Sequence, residues 1–157
     1  GETPPILRDI TLNAASMTLI DDQRPDFVEA ARALAERLLD NAPRFVTAAQ
    51  PLGPAQPLLL ITSADRLGEQ LERLPLRLPA GLPKVAHGAA VWTARRANNT
   101  PVLVVSAVST AELQALLRPL PHYGGQSYVL FDGGRALDRG IWPLSRGALY
   151  RDLSTGS

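Results

Sequence analysis

Two stretches decide the fold: Pro57–Pro75, "PLLLITSADRLGEQLERLP", and Pro101–Pro121, "PVLVVSAVSTAELQALLRPLP". Both read proline, short apolar run, small polar residue, leucine-spaced segment, proline. A continuous apolar run of this length, bounded by proline, predicts a strand buried on both faces. The leucine spacing that follows predicts a helix. The two units begin 44 residues apart. A third unit, Met17–Leu39, repeats the pattern earlier. Its Phe27, Val28, Ala31, Leu34, Ala35, Leu38 and Leu39 share one helical face, and Pro25 suits a first helical position. No such unit buries its own apolar faces, so the three are expected to share one sheet. The fold class is α/β: a mixed, mainly parallel sheet with three or so helices and a C-terminal β-hairpin.

The remaining segments fit around that frame. "ILRDITL" at Ile6–Leu12 alternates apolar and polar residues and predicts a strand. Asp21 and Asp22 are expected to cap the helix after them, and Ser63 or Asp65 the next. "PLRLPAGLPK" at Pro75–Lys84 is too rich in proline for regular structure. "GAAVWTARR" and "PVLVVSA" predict a hairpin turning at Asn98–Asn99. Ser109 and Glu112 have capping-box spacing. "SYVLF", then Asp132-Gly133-Gly134, then Arg135–Trp142, predicts a closing hairpin, because glycine accepts positive φ at no steric cost. Tyr128 and Leu130 should face opposite to Val129 and Phe131.

The 157 residues suffice for one domain, with 45% hydrophobic and 20% charged residues. Gly1–Pro5 reads as a linker remnant of a longer chain and 151–157 as a flexible tail. Net charge is +1, and the arginines are scattered, which argues against nucleic acid as a partner. Lys84 is the one lysine, an arginine-for-lysine bias that fits a high-GC genome. Cysteine is absent, which removes thiolate catalysis and disulfides. No run approaches the length of a membrane span, so no direct membrane insertion is expected.

Chemistry-bearing motifs are sparse. His87 and His122 are the two histidines, and neither has a ligand partner at helical spacing, so no metal or other cofactor is expected. No strand precedes GxGxxG or GxxxxGK. Ser63, Ser106 and Ser109 end predicted strands or begin helices. With His122 they would make a minimal serine hydrolase, but GxSxG is missing and serine is the expected helix cap. Tyr123, His122, Trp142 and Arg135 remain as candidate ligand-binding residues. They would form a small-ligand or glycan site over residues 121–142, with Asp138 and Arg139 as further polar groups. The bland reading of Trp142 is a lid over the open end of the core.

Two resemblances bear on function. Asp21-Asp22 after a strand, with "TPVLVVSA" at Thr100–Ala107, resembles part of a response-regulator receiver domain. The likeness fails where a phospho-accepting aspartate is required, since the Leu58–Ile61 strand ends in Thr62-Ser63. Separately, "YGGQSYVLFDGGRALDRGIWP" at Tyr123–Pro143 resembles a stretch near the C-terminus of exported bacterial metallopeptidase-like proteins of the M1 (gluzincin) type. That resemblance spans about a seventh of the chain and includes no catalytic motif. It implies a non-catalytic accessory or protein-interaction domain of an exported, periplasmic or extracytoplasmic bacterial protein. The partners would be other domains of the same parent or a separate protein.

Overall fold

The computed structural model describes residues 3–47, 53, 56–78, 81 and 87–143. In chain order the elements are α1 (Arg8–Thr11), β1 (Met17–Asp21), α2 (Pro25–Leu38), β2 (Phe45–Val46), β3 (Leu58–Ser63), α3 (Leu67–Arg73), β4 (Leu76–Arg77), β5 (Ala89–Arg96), β6 (Pro101–Ala107), α4 (Thr110–Gln114), a 3₁₀ turn (Leu120–Tyr123), β7 (Tyr128–Asp132) and β8 (Arg135–Gly140). The strands form one mixed sheet in the order β2-β1-β3-β6-β5-β7-β8, with β4 pairing β5 off that path. Strands β2, β1, β3 and β6 run parallel. The pairings of β5 with β4, β6 and β7, and of β7 with β8, are antiparallel.

The fold class read from the repeated units holds. Strand β3 is buried along its whole length, as its unbroken apolar run requires. Its register alternates Leu59 and Ile61 toward one face and Leu58 and Leu60 toward the other. The first face packs against α1, α2 and α4 through Leu7, Phe27, Leu34, Leu113 and Leu116. The second face lies under α3 and carries Trp92, Leu74 and Trp142. Each fully buried leucine or phenylalanine contributes roughly 1.5–3 kcal/mol. The hairpin also forms as expected. Gly133 and Gly134 both take positive φ, at 60° and 83°, which the tight turn between β7 and β8 demands. Val129 and Phe131 point to the first face, Tyr128 and Leu130 to the second.

Four local expectations change. Ile6–Leu12 is not a strand: it contains the single helical turn α1, which buries Leu7 and Ile10 three residues apart and leaves Arg8 and Asp9 in solvent. Asp21 and Asp22 do not cap α2, whose first turn begins at Pro25 after an extended Arg24 without a side-chain cap. Neither Ser63 nor Asp65 caps α3, which begins at Leu67 after Arg66. Leu76–Arg77, in the proline-rich stretch, is a short strand because it finds backbone partners at Arg95 and Arg96 of β5. At Ser109 the cap forms, accepting from the Glu112 N–H at 3.2 Å. The Glu112 carboxylate turns away from the reciprocal bond and accepts the Gly133 N–H at 2.9 Å, tying α4 to the hairpin.

Residues Thr3–Pro5 belong to the folded body. The Pro5 carbonyl accepts hydroxyl hydrogen bonds from Thr93 and Ser127, each 2.8 Å, and the Thr3 carbonyl accepts from Arg95. The expected tail at 151–157 lies outside the described residues. Among the described residues no helix is long and apolar enough to cross a membrane.

Candidate functional site

The parallel strands give the sheet two distinct ends. At the upper end β1, β3, β6 and β7 finish; at the lower end they begin. The chain leaves β1 toward β2 across the face of α2, and leaves β3 toward β5 across the face of α3. Adjacent strands whose connections diverge in this way define a topological switch point, where α/β domains open a crevice. The structure brings Asp21, Asp22, Ser63, Arg24 and Arg66 together there.

Asp21 and Asp22 are each matched by an arginine. Arg66 donates from Nε and Nη2 to the two Asp21 carboxylate oxygens at 3.2 and 3.3 Å, bridging α3 to β1. Arg24 donates from Nη2, Nε and its backbone N–H to Asp22 at 2.8, 3.0 and 2.8 Å. The Arg24 fork, opposed by the burial of the carboxylate, holds Asp22 at a pKa of about 2, below the usual 3.8. The Ser63 hydroxyl adds a lesser pull on that carboxylate without reaching hydrogen-bond geometry, and Ser63 Oγ is buried with no partner. A carboxylate held this far down is a poor general base near neutral pH. Gln70 Nε2 and Trp92 Nε1 are also buried donors without partners. Among the described residues no cluster of three or more metal-ligating side chains forms.

The serine and histidine candidates lie apart. Ser63 and Ser106 end their strands at the upper end, on opposite faces of the sheet, and both are buried. His122 sits in the 3₁₀ turn that precedes β7, at the lower end. The turn after it is bonded to α1 through Leu7 N–H to the Gln126 carbonyl and Arg8 N–H to the Gly124 carbonyl. A strand of this length separates them by about 17 Å at ~3.3 Å per residue. His87, just before β5, is at the upper end and exposed.

The four candidate ligand residues are likewise divided. Arg135 starts β8 at the upper end, opposite Asp132. Trp142 is buried against the second face, stacked on Tyr128 at 4.8 Å, with its Nε1–H donated to the Thr93 carbonyl and hydroxyl at 2.9 and 3.0 Å. That burial, with the nearby Asp138, raises the Tyr128 hydroxyl above its ordinary pKa of 10. Tyr123 packs on the first face, edge-on to Phe131 at 5.6 Å. His122 and Tyr123 stay together; Trp142 and Arg135 do not join them.

What gathers around Tyr123 instead is arginine. The Arg139 guanidinium lies over the Tyr123 ring, 5.8 Å from its centroid. Arg8 runs across the Gly124–Gly125 turn so closely that a Cβ on Gly125 would fall 2.7 Å from its Nη2. Arg8, Arg139 and His122 are exposed. Among the described residues neither Arg8 nor Arg139 is in an ion pair. Sequence reasoning passed over Arg8, because nothing local links it to a glycine pair some 116 residues away. Against protein families and curated proteins of known identity, the chain gives no match.

Proposed function

We propose that this chain is a non-catalytic protein-interaction domain that presents the lower end of its sheet to a partner. The observation that carries it is the Tyr123 surface: an aromatic ring flanked by two exposed arginines and a histidine, with no carboxylate paired to either arginine among the described residues. Aromatic and arginine side chains are the types most enriched where proteins bind one another. The upper end, where an α/β fold normally carries chemistry, supports the non-catalytic side of the reading. Asp21 and Asp22 are spent on arginines, and Ser63 and Ser106 are buried. The partner in this proposal is another domain of the same parent or a separate protein, in an exported bacterial setting. That setting rests on the likeness of Tyr123–Pro143 to accessory regions of M1-type proteins. A second reading, small-ligand binding over residues 121–142, draws on the same Tyr123–Arg139 pair but loses Trp142 to the opposite face.

The test is a peptide-display selection on immobilised domain, counter-selected on the Arg8→Glu/Arg139→Glu variant. Sequences should be recovered on the wild type and lost on the variant. Hydrolysis of simple esters, phosphoesters or glycosides that disappears in Ser63→Ala or Asp22→Asn would move the function to the upper end and overturn the proposal.

A further inference from the structure

Resting on that interaction reading, we infer that the partner segment is an acidic peptide carrying aliphatic side chains, docked over Tyr123 between Arg8 and Arg139. Charge complementarity selects the chemistry. Neither arginine is in an ion pair among the described residues: the Arg139 guanidinium lies over the Tyr123 ring, and Arg8, whose backbone N–H bonds the Gly124 carbonyl, carries its side chain across Gly125. The nearby carboxylates are committed elsewhere. Asp9 accepts the Ile6 N–H at 2.9 Å, and Asp138 accepts the Arg139 N–H at 2.8 Å. A guanidinium that is held in place loses less freedom on pairing with a carboxylate, and its planar fork matches one.

The apolar part of the partner follows from the residues beside Arg139. Leu137 and Ile141 lie two positions to either side of it and are 57% and 50% exposed. They are among the most exposed large hydrophobic side chains described; Leu137 lies with Arg139 on β8, and Ile141 follows its last residue. A partner alternating carboxylate and aliphatic side chains would answer both. A nucleic acid would need more phosphate-binding cations than this surface offers, on a chain whose net charge is only +1.

The experiment uses the whole chain and fluorescein-labelled probes in an anisotropy titration at low and physiological salt. The probes are an alternating Glu/Leu peptide, its Gln/Leu counterpart, and a single-stranded oligonucleotide of equal charge. The Glu/Leu peptide should bind most tightly and weaken as salt rises. Arg8→Gln/Arg139→Gln should weaken it about tenfold or more. Gly125→Ala should weaken it as well by displacing Arg8, with the circular dichroism spectrum and melting curve confirming a folded chain. Arg73→Gln, an exposed cation on α3 across the sheet, should leave it unchanged. Equal loss in Arg73→Gln would mean that net charge alone is felt, and the inference fails. Tighter binding of the oligonucleotide overturns it too. If the Gln/Leu peptide binds as well as the Glu/Leu one and is lost in Leu137→Ser, the acidic partner is refuted while the interaction reading survives. If neither peptide binds and the chain turns over substrate through Ser63 or Asp22, both fall.

Discussion

The two ends of the sheet contrast sharply. At the upper end Asp21 and Asp22 are each paired with an arginine, Ser63 and Ser106 are buried, and the hairpin is tied down by Glu112. At the lower end the second face is sealed by Trp142, but the first face leaves Arg8, Arg139 and His122 in water around Tyr123. An end whose carboxylates are paired internally contributes to stability. An end that holds charges in fixed positions without partners spends that order on something outside the domain. The lesson is that the position of a site within a fold class is a prior, and the electrostatic state of the residues decides.

The sharpest way to break the contrast is Gly88→Ala, at the upper start of β5. A Cβ there would lie 1.8 Å from the Phe131 carbonyl oxygen, so β5 and β7 must part. Equilibrium unfolding in urea should show a loss of at least ~3 kcal/mol, or no folded protein. A loss below ~1 kcal/mol would mean that the upper end has slack and is not the rigid half. Next comes Trp142→Phe, which keeps the apolar ring on Tyr128 but removes the bonds to Thr93. Its expected cost is about 1–2 kcal/mol, read from the same denaturation curves. A negligible cost would reopen Trp142 as a surface residue.

A smaller effect tests the charge balance at the upper end. Asp22 has its folded-state pKa depressed to about 2 by the Arg24 fork. The ion pair therefore contributes stability above about pH 4, and that contribution is lost as pH falls toward about 2. Arg24 is 52% exposed, so solvent screening keeps the contribution small. Asp22→Asn should flatten this part of the acid limb in a pH-dependent melting series. An unchanged slope would remove the pair from the account. The smallest effect on stability belongs to the lower end: Arg8→Gln and Arg139→Gln should each stay within ~0.5 kcal/mol of wild type. A loss above ~1 kcal/mol for either would show that the patch serves the fold itself and not a partner.

How far the sequence carried depends on length and locality. The buried runs at Leu58–Ser63 and Pro101–Ala107 are long enough for only one reading, and the Gly133–Gly134 turn is local chemistry. Ile6–Leu12 misleads because seven residues cannot separate a period of two from one of 3.6. Leu7 and Ile10 satisfy the helical spacing, and α1 wins because it covers the end of the first-face core. Asp21 and Asp22 stand where caps usually stand. Asp22 pairs locally with Arg24, but the partner of Asp21 could be named only once α3 was placed, since Arg66 is 45 residues away. The candidate site was half legible. Tyr123 and His122 were visible as patterned residues, but the faces that divide Tyr123 from Trp142 depend on the 3₁₀ turn and on the end of β8. The Arg8–Gly125 contact is a long-range packing fact with no local signature.

The Pro5 carbonyl, which receives the hydroxyls of Thr93 and Ser127 from 88 and 122 residues away, has a consequence for how the chain assembles. During synthesis Pro5 emerges well before either donor exists. It must wait until β5 and the start of β7 are made, and so it docks among the last parts of the body. Closing so large a loop is slow and entropically costly until the rest of the sheet already holds its ends together. Thr3–Pro5 is thereby held against β5 and the residue before β7. An extension fused ahead of Thr3 would be carried to the lower end of the sheet, on the side of β5 and β7.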